Sequence, residues 1–268
     1  MGTGVNPGGF DTITSNADKY VDFLDARLEI DDETRVKELI IRLLDLRDGL
    51  KVLDIGTGTG DDARRVAELV APTGSVVGLD RGAVMVATAR QRSAGTGLPI
   101  EFVEGDAQAL DFADDTFDRT RAERVLIHLP DPVAAIHELV RVTRPGGLVV
   151  LSDLDGGTIF LNSTNKELAS RIELGLTDDL TNGWMGRQMQ RHLVEAGLED
   201  VRCVATVIQN SVAFMRIVFN HRLQVMVEAG ETTDAEVAAF WAELEQGEQA
   251  GWLCSGVVCF NVVGHKPA

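Results

Sequence analysis

The sequence predicts an α/β fold in which a parallel sheet is covered by helices on both faces. Three observations carry this. The stretch Lys51 to Gly60, KVLDIGTGTG, is a short β-type run that breaks into three glycines at alternate positions and is followed by helix-like sequence. Apolar runs then alternate with helical segments: SVVGLD at 75–80, IEFVEGD at 100–106, FDRTRAE at 117–123 and GLVVLSD at 147–153. With 268 residues and 44% hydrophobic content, the chain can bury one sizeable core as a single elaborated domain.

Residues 1–31 read as an N-terminal extension that forms part of a lid, glycine-rich and polar over 1–9 and so suited to a mobile end. Residues 32–268 form the main domain. Val36, Leu39, Ile40, Leu43 and Leu44 fall at helical spacing and predict a helix over 32–46. Between the runs at 117–123 and 147–153, Asp131 and Pro132 supply an N-cap and a first helical residue, and Pro145, Gly146 and Gly147 stop that helix. Past Asp153 the rhythm changes to helical segments at 166–175 and 186–196, a strand at 200–208 and a last strand at 256–264. The insertion between those strands, about 209–250, repeats Met215, Val218, Phe219, Leu223 and Met226 at helical spacing, and Thr233 with Glu236 forms a capping-box pattern. It reads as a helical cap over the sheet edge; packing of the stripe on the sheet itself is the alternative for any one of those residues.

Gly56, Gly58 and Gly60 read G-x-G-x-G, whereas a dinucleotide fingerprint places its third glycine one residue later, where this chain has Asp61 and then Asp62. Pyrophosphate binding relies on free backbone N–H groups and the positive end of a helix, and two carboxylates there compete with and repel phosphate. A phosphate-free ligand fits better. S-adenosylmethionine is one, with an adenosine to recognise and a sulfonium and ammonium that tolerate nearby negative charge.

A formal net charge of −17 opposes an extended phosphate backbone, so nucleic acid is not an expected partner. Cys203, Cys254 and Cys259 form no CxxC and lie near no histidine pair, which supports neither a disulfide framework nor a metal site; they read as buried thiols in a reducing compartment. No apolar stretch reaches the roughly 18 residues that a membrane helix needs, and the start, MGTGVNPGGF, lacks the charged and apolar regions of a signal peptide. The expectation is a soluble, cytoplasmic protein with a small-molecule substrate and no membrane partner. Whether it forms a homo-oligomer is left open.

On VLDIGTGTG, VVGLD ending at Asp80, VEGDAQALDF around Asp106, FDRTRAERVLIHLPDP and RVTRPGGLVVLSD, in this order, the chain resembles the class I S-adenosylmethionine-dependent methyltransferases from about Asp32 to Lys266. The likeness is to the small-molecule group that includes ubiquinone and menaquinone biosynthetic enzymes and actinobacterial natural-product tailoring enzymes. It implies a Rossmann-like seven-stranded sheet in the order 3-2-1-4-5-7-6, its last strand antiparallel, with S-adenosyl-L-methionine across the carboxyl ends of the strands.

The resemblance also implies roles for residues. Asp54 helps hold the methionine end of the cofactor, or else ties the loop backbone. Gly56, Gly58 and Gly60 let the backbone approach the ligand. Asp80 accepts both ribose hydroxyls. Arg81 follows it, Gly82 stands where many relatives carry serine, and Met85 flanks the adenine or is an ordinary core methionine. Asp106 and the backbone N–H of Ala107 read the adenine edge. Ala122 and Glu123 face the methionine moiety, and Glu123 either acts on the substrate or pairs with Arg121 or Arg124. His128 is a candidate general base, near the cleft and with an ordinary pKa near neutrality. The string HLPDP recurs in the family across substrates, which equally supports a structural role at the helix start. Trp184 and Arg187 in NGWMGRQM are candidates for the substrate pocket, against a helix entry pinned by a buried tryptophan. His221 is a third candidate, against an ordinary surface histidine; His192, also in the elaborated half, carries the same two readings, and His137 reads as solvated surface.

The reaction implied is in-line methyl transfer to a small, partly apolar acceptor, a secondary metabolite or a quinone-like ring, with alignment and water exclusion supplying much of the catalysis. If the acceptor is a phenol, enol or amine, His128 and Glu123 are the nearest groups to take a proton. No NPPY-type tetrapeptide follows the fourth strand, which argues against the amino-methylating nucleic-acid and glutamine enzymes. Two alternatives stay open: a methyltransferase-like enzyme that runs a pericyclic or decarboxylative step, and a regulatory protein that senses the cofactor.

Overall fold

The computed structural model describes residues 17–28 and 31–268. A seven-stranded sheet in the order β3-β2-β1-β4-β5-β7-β6 forms its centre. β1 (Lys51–Ile55), β2 (Ser75–Asp80), β3 (Ile100–Glu104), β4 (Phe117–Glu123) and β5 (Thr143–Phe160) are parallel. β7 (Gly256–His265) runs antiparallel to both β5 and β6 (Glu199–Gln209). The strand order and the reversed last strand are those the motifs imply.

Alternation along β1 sends Val52 to one face and Leu53 and Ile55 to the other, and all three are fully buried, as befits a parallel strand covered on both sides. On Val52's face, Val36 and Ile40 of α2 (Asp31–Leu44), Val66 of α3 (Asp61–Val70) and Val86 of α4 (Ala83–Ser93) complete the core. On the opposite face, Ile136 and Leu139 of α5 (Pro132–Val142) and Met185 and Met189 of α7 (Met185–Glu195) do so. A third apolar cluster lies apart from both. Leu168 and Ile172 of α6 (Lys166–Asp178) meet Met215, Phe219, Leu223 and Met226 of α8 (Val212–Glu228) and Phe240, Trp241 and Leu244 of α9 (Asp234–Ala250). The stripe therefore packs helix on helix, with a core of its own.

Local signals fix the helix starts. Asp131 Oδ1 accepts from the Ala134 N–H at 2.9 Å, and the box at α9 closes with Thr233 Oγ1 accepting from Glu236 N–H at 3.2 Å and Glu236 Oε2 from Thr233 N–H at 3.0 Å. β5 departs from expectation. It begins at Thr143, because the chain leaves α5 directly into pairing with Phe117, bulges through Pro145, Gly146 and Gly147, and resumes at Leu148 opposite Arg119. The helix over 32–46 ends two residues early, at Leu44. The extension contains a further helix, α1 (Ala17–Leu28), while its glycine-rich start, 1–9, lies outside the described residues. All three cysteines are free, and Cys254 is exposed rather than buried. Among the described residues no helix is long and apolar enough to cross a membrane.

Candidate active site

β1 ends at Ile55, and the chain must turn out of the sheet and enter α3 at Asp61. Gly56 and Gly60 make that turn at φ +66° and +79°. A Cβ on Gly56 would lie 2.2 Å from Val125 Cγ2, and one on Gly60 2.8 Å from the Phe102 ring. Gly60 thus faces the packed side of the loop. At the loop's outer side a cavity opens over the carboxyl ends of β1, β2 and β4, beside the point between β1 and β4 where the strand order reverses and open parallel sheets bind ligands. Asp54, Gly56, Gly58, Asp80, Arg81, Met85, Asp106, Ala107, Glu123 and His128 all line it. Ala122 does not; it is buried in the core beneath the sheet end. Leu24 of α1 covers Gly58, its Cδ1 only 3.2 Å from where a Cβ would stand.

Asp80 ties two loops together: its Oδ2 accepts from the Gly58 N–H and its Oδ1 from the Gly82 N–H, both at 2.8 Å. Burial pushes its carboxyl above the ordinary range, against the pull of these N–H groups. Met85 is buried in the wall, while Asp106 stands exposed, its Oδ1 accepting from the Gln108 N–H at 2.9 Å. The start of α3 is not free for phosphate. Asp61 accepts from the Thr59 hydroxyl at 2.6 Å and pairs with Arg64, and Asp62 pairs with Lys37 at 2.5 Å and Arg121 at 3.2 Å. The donor set suits a nucleoside with a charged amino-acid tail better than a pyrophosphate.

One end of this cavity is a network of alternating charges. Arg121, buried in β4, lies 3.2 Å from Asp54 through Nε and 2.5 Å from Glu123 through Nη2. Lys37 Nζ is 3.6 Å from Glu123, and Arg27 of α1 reaches Glu123 at 3.4 Å and Glu33 at 3.2 Å. Arg124 Nη2 lies 3.0 Å from each Glu33 oxygen. Asp54 also accepts from the Thr57 hydroxyl at 3.0 Å, which ties the loop, and it lines the cavity. Burial pushes Asp54 up to about 6 despite Arg121. For Glu123 burial is outweighed by Lys37, Arg121, Arg27 and Arg124, which hold its carboxyl well below the usual range. Glu123 is an ion-pair member.

A second cavity adjoins the first. Its walls are apolar, with Phe23 of α1, Ile159, Leu176, Ile208, and Phe214 and Phe219 of α8. Phe23 and Phe214 stack at 5.8 Å between ring centroids, so α1 closes against α8. Arg27, Arg124 and His128 line both cavities. Burial, then Arg124 and Arg27, push His128 down to about 4, which leaves it neutral at pH 7. Beside it in the second cavity is Asp153, fully buried, its oxygens accepting from the Ile127 and Leu154 N–H groups at 3.1 Å each; burial pushes it up to about 6. Motif reading does not single out Asp153, whose only local signal is its place near the end of an apolar strand.

Trp184, Arg187 and His221 line neither cavity. Arg187 forks onto Asp155 of β5, with Nε and Nη2 each 2.5 Å from a carboxylate oxygen, and its guanidinium lies 4.7 Å from the Trp184 ring centre. The entry to α7 is pinned by that fork, and Trp184 is 55% exposed instead of buried. His221 and His137 are exposed, and His192 is half-buried beside Glu195 at 3.5 Å. Among the described residues no group of three His, Cys, Asp or Glu side chains is placed to hold a metal.

Residues 46–217 match the family described as Methyltransferase domain. The chain is 38% identical over 120 residues to methyltransferase GfsG of Streptomyces halstedii, across 45% of this chain and 43% of that protein. To demethylmenaquinone methyltransferase of Shouchella clausii it is 29% identical over 199 residues, across 68% of this chain and 85% of that protein. The chain spans about half the length of the first curated relatives it matches, 51% and 43%. Among solved structures, the (4+2)-cyclase SpnF has a TM-score of 0.62 at 19% identity, over 99% of this chain and 100% of that one, a likeness of fold. Motifs, strand order and family match agree: the chain belongs to the methyltransferase-domain family, among the class I S-adenosylmethionine-dependent enzymes.

Proposed function

We propose that the chain transfers a methyl group from S-adenosyl-L-methionine in the first cavity to a small, partly apolar acceptor in the second. The shared wall carries this reading: Arg27, Arg124 and His128 belong to both cavities, so ligands seated in each would meet there. When bound, the cofactor supplies an electrophilic methyl on a positive sulfur. Everything else falls to the chain's own residues. Asp80 uses one lone pair of each oxygen on a backbone N–H and keeps others for the two ribose hydroxyls. Asp106 and the Ala107 N–H take the adenine edge, with Met85 and Arg81 beside the ring. Asp54 and Glu123 offer negative charge to the ammonium, and Lys37 and Arg27 positive charge to the carboxylate. Gly56 and Gly58 leave room for the ligand.

Residues 17–28 and the insertion at about 209–250 serve as lid and cap, with Phe23 on Phe214 keeping water from the acceptor. Catalysis then rests on alignment. Glu123 is held ionised by several cations and is no proton acceptor; His128, a weak base at about 4, orients the acceptor by hydrogen bonding. The name of one relative, a demethylmenaquinone methyltransferase, supports a quinone-like ring as acceptor, with a secondary metabolite as the alternative that the sequence resemblance implies. The net charge of −17 favours a free small molecule over nucleic acid, and a cytoplasmic setting suits all of this. The near full-length likeness to a (4+2)-cyclase supports a second reading, a non-methylating step on the same scaffold.

The test is incubation with methyl-labelled cofactor and a panel of quinols and hydroxylated aromatics. Label in an organic product with equimolar S-adenosylhomocysteine is expected. A changed substrate without that release would favour the second reading, and tight cofactor binding without turnover across the panel would favour a cofactor sensor.

A further inference from the structure

β6 is an edge strand: it pairs with β7 and, among the described residues, with nothing on its other side. The Asn210 N–H donates to Ser255 O at 3.1 Å, continuing the register that sets Gln209 opposite Gly256. Backbone groups alternate along an antiparallel strand, so Ile208, Thr206, Val204 and Arg202 direct theirs to β7, while Gln209, Val207, Ala205 and Cys203 turn theirs outward. The Gln209 N–H agrees, because it leaves the sheet to donate to Asp32 Oδ2 of α2 at 2.8 Å.

Two stops bound this outward row. At one end the Asp32 carboxylate occupies the place where an added strand's carbonyl would accept from Gln209. At the other, Asp200 at φ +50° forms a bulge, with Asp200 and Val201 together opposite a single residue of β7. Between the stops the sequence VRCVATVI, 201–208, holds no proline and one charge, and Val204 and Val207 are 40% and 48% exposed. A long, uncharged edge of this kind is a template for another strand. The opposite edge, β3, is blunted: it has five residues and carries exposed Glu101 and Glu104.

From this we infer that β6 pairs with β6 of a second copy of the chain, antiparallel about a twofold axis through Val204, joining two sheets into one. Cys203 then faces Ala205 of the second copy and Val207 faces its Val201, so the outward N–H groups of Cys203, Ala205 and Val207 each find a carbonyl. Neighbouring registers fail. Centring on Ala205 would push the Val201 carbonyl onto the Asp32 carboxylate, and centring on Cys203 would carry Val207 past the bulge to Glu199. No like charges meet, since Arg202 falls opposite Thr206 and Asp200 opposite Ile208. The two Val204 side chains touch across the axis, and Val201 covers Val207. This match of the window to itself selects a second copy as the occupant, and a twofold pair uses up the edge, so association stops at two.

Sedimentation equilibrium of the full chain over a dilution series tests this, with circular dichroism to check that each variant is folded. The expected result is a mass that rises with concentration to twice the 29.0 kDa of one chain and no further. A205P removes an N–H that only the second copy uses, which an edge strand tolerates, and should weaken dimerisation roughly tenfold or more. A second measurement reads the register even if A205P does not fold. V204C places two thiols on the axis, their Cα atoms about 4.5 Å apart and within disulfide reach, so oxidation should give a covalent dimer on a non-reducing gel. T206C, whose two copies stand four positions out of register and about 14 Å apart, should give no more of it than the wild type with its native thiols. A monomer at every concentration, a dimer undiminished in folded A205P, no covalent dimer in V204C, or as much of it in T206C would each overturn the inference.

Discussion

Arg121 and Glu123 stand two positions apart on β4, so alternation turns both to one side of the strand, and Arg121 Nη2 meets Glu123 Oε2 at 2.5 Å. At 3% and 7% side-chain exposure, such a pair needs further partners to offset its desolvation; Asp54, Asp62 and Lys37 provide them. Removing one member leaves the others buried and uncompensated.

Glu123→Gln should therefore destabilise the protein by about 3–5 kcal/mol in denaturant unfolding. A catalytic base at this position would behave differently. The variant would keep its stability and lose only turnover.

Asp80→Ala removes an acceptor that holds both Gly58 and Gly82 N–H groups and faces the cavity. Calorimetry with S-adenosylhomocysteine should show affinity reduced at least tenfold, roughly 1.4 kcal/mol or more. Undiminished affinity would remove Asp80 from the ribose site.

His128 sets a pH dependence with a definite sign. Its folded pKa of about 4 lies below the ordinary 6.5, so as pH falls from 6.5 to 4 the unfolded chain takes up a proton that the native state refuses. Native stability is lost across that window, by about 3 kcal/mol at about 1.4 kcal/mol per pH unit. Asp54 and Asp153, both raised to about 6, act oppositely: their contribution is present below about 4 and is lost as pH rises through 6. Stability of His128→Gln relative to wild type should rise by about 3 kcal/mol between pH 7 and pH 4, since the carboxylates are common to both. A flat difference would show that His128 titrates normally.

Arg187→Ala strips the fork from Asp155, which is 0% exposed, and should cost about 2 kcal/mol or more while leaving S-adenosylhomocysteine affinity unchanged. His221→Ala, on the exposed face of α8, should stay within about 0.5 kcal/mol of wild type. Loss of cofactor affinity in the first variant would place Arg187 in the binding machinery after all.

Much of this was readable because it is local. The runs at 75–80 and 117–123 match β2 and β4 at both ends. The glycine loop, Asp80, Asp106 and His128 each lie at or just past a strand's carboxyl end and so line one cavity there. β5 was harder, since Pro145, Gly146 and Gly147 signal a break whether the chain stops pairing or bulges through it. The charge network was not readable. Glu33 and Lys37 look like an ordinary solvated i, i+4 pair on α2, and only the fold brings them to Arg27, Arg121, Glu123 and Arg124. Trp184 misled for a related reason: a large ring suggests burial, yet here it lies outside, under the guanidinium of Arg187.

The central claim is that the cavity over β1, β2 and β4 receives an adenosyl amino acid and not a phosphorylated dinucleotide. Titration of the purified chain with S-adenosylhomocysteine and with NAD, side by side in a calorimeter, tests it most directly. The predicted outcome is stoichiometric, saturable heat with S-adenosylhomocysteine and none with NAD; saturation by NAD with no response to S-adenosylhomocysteine would contradict it.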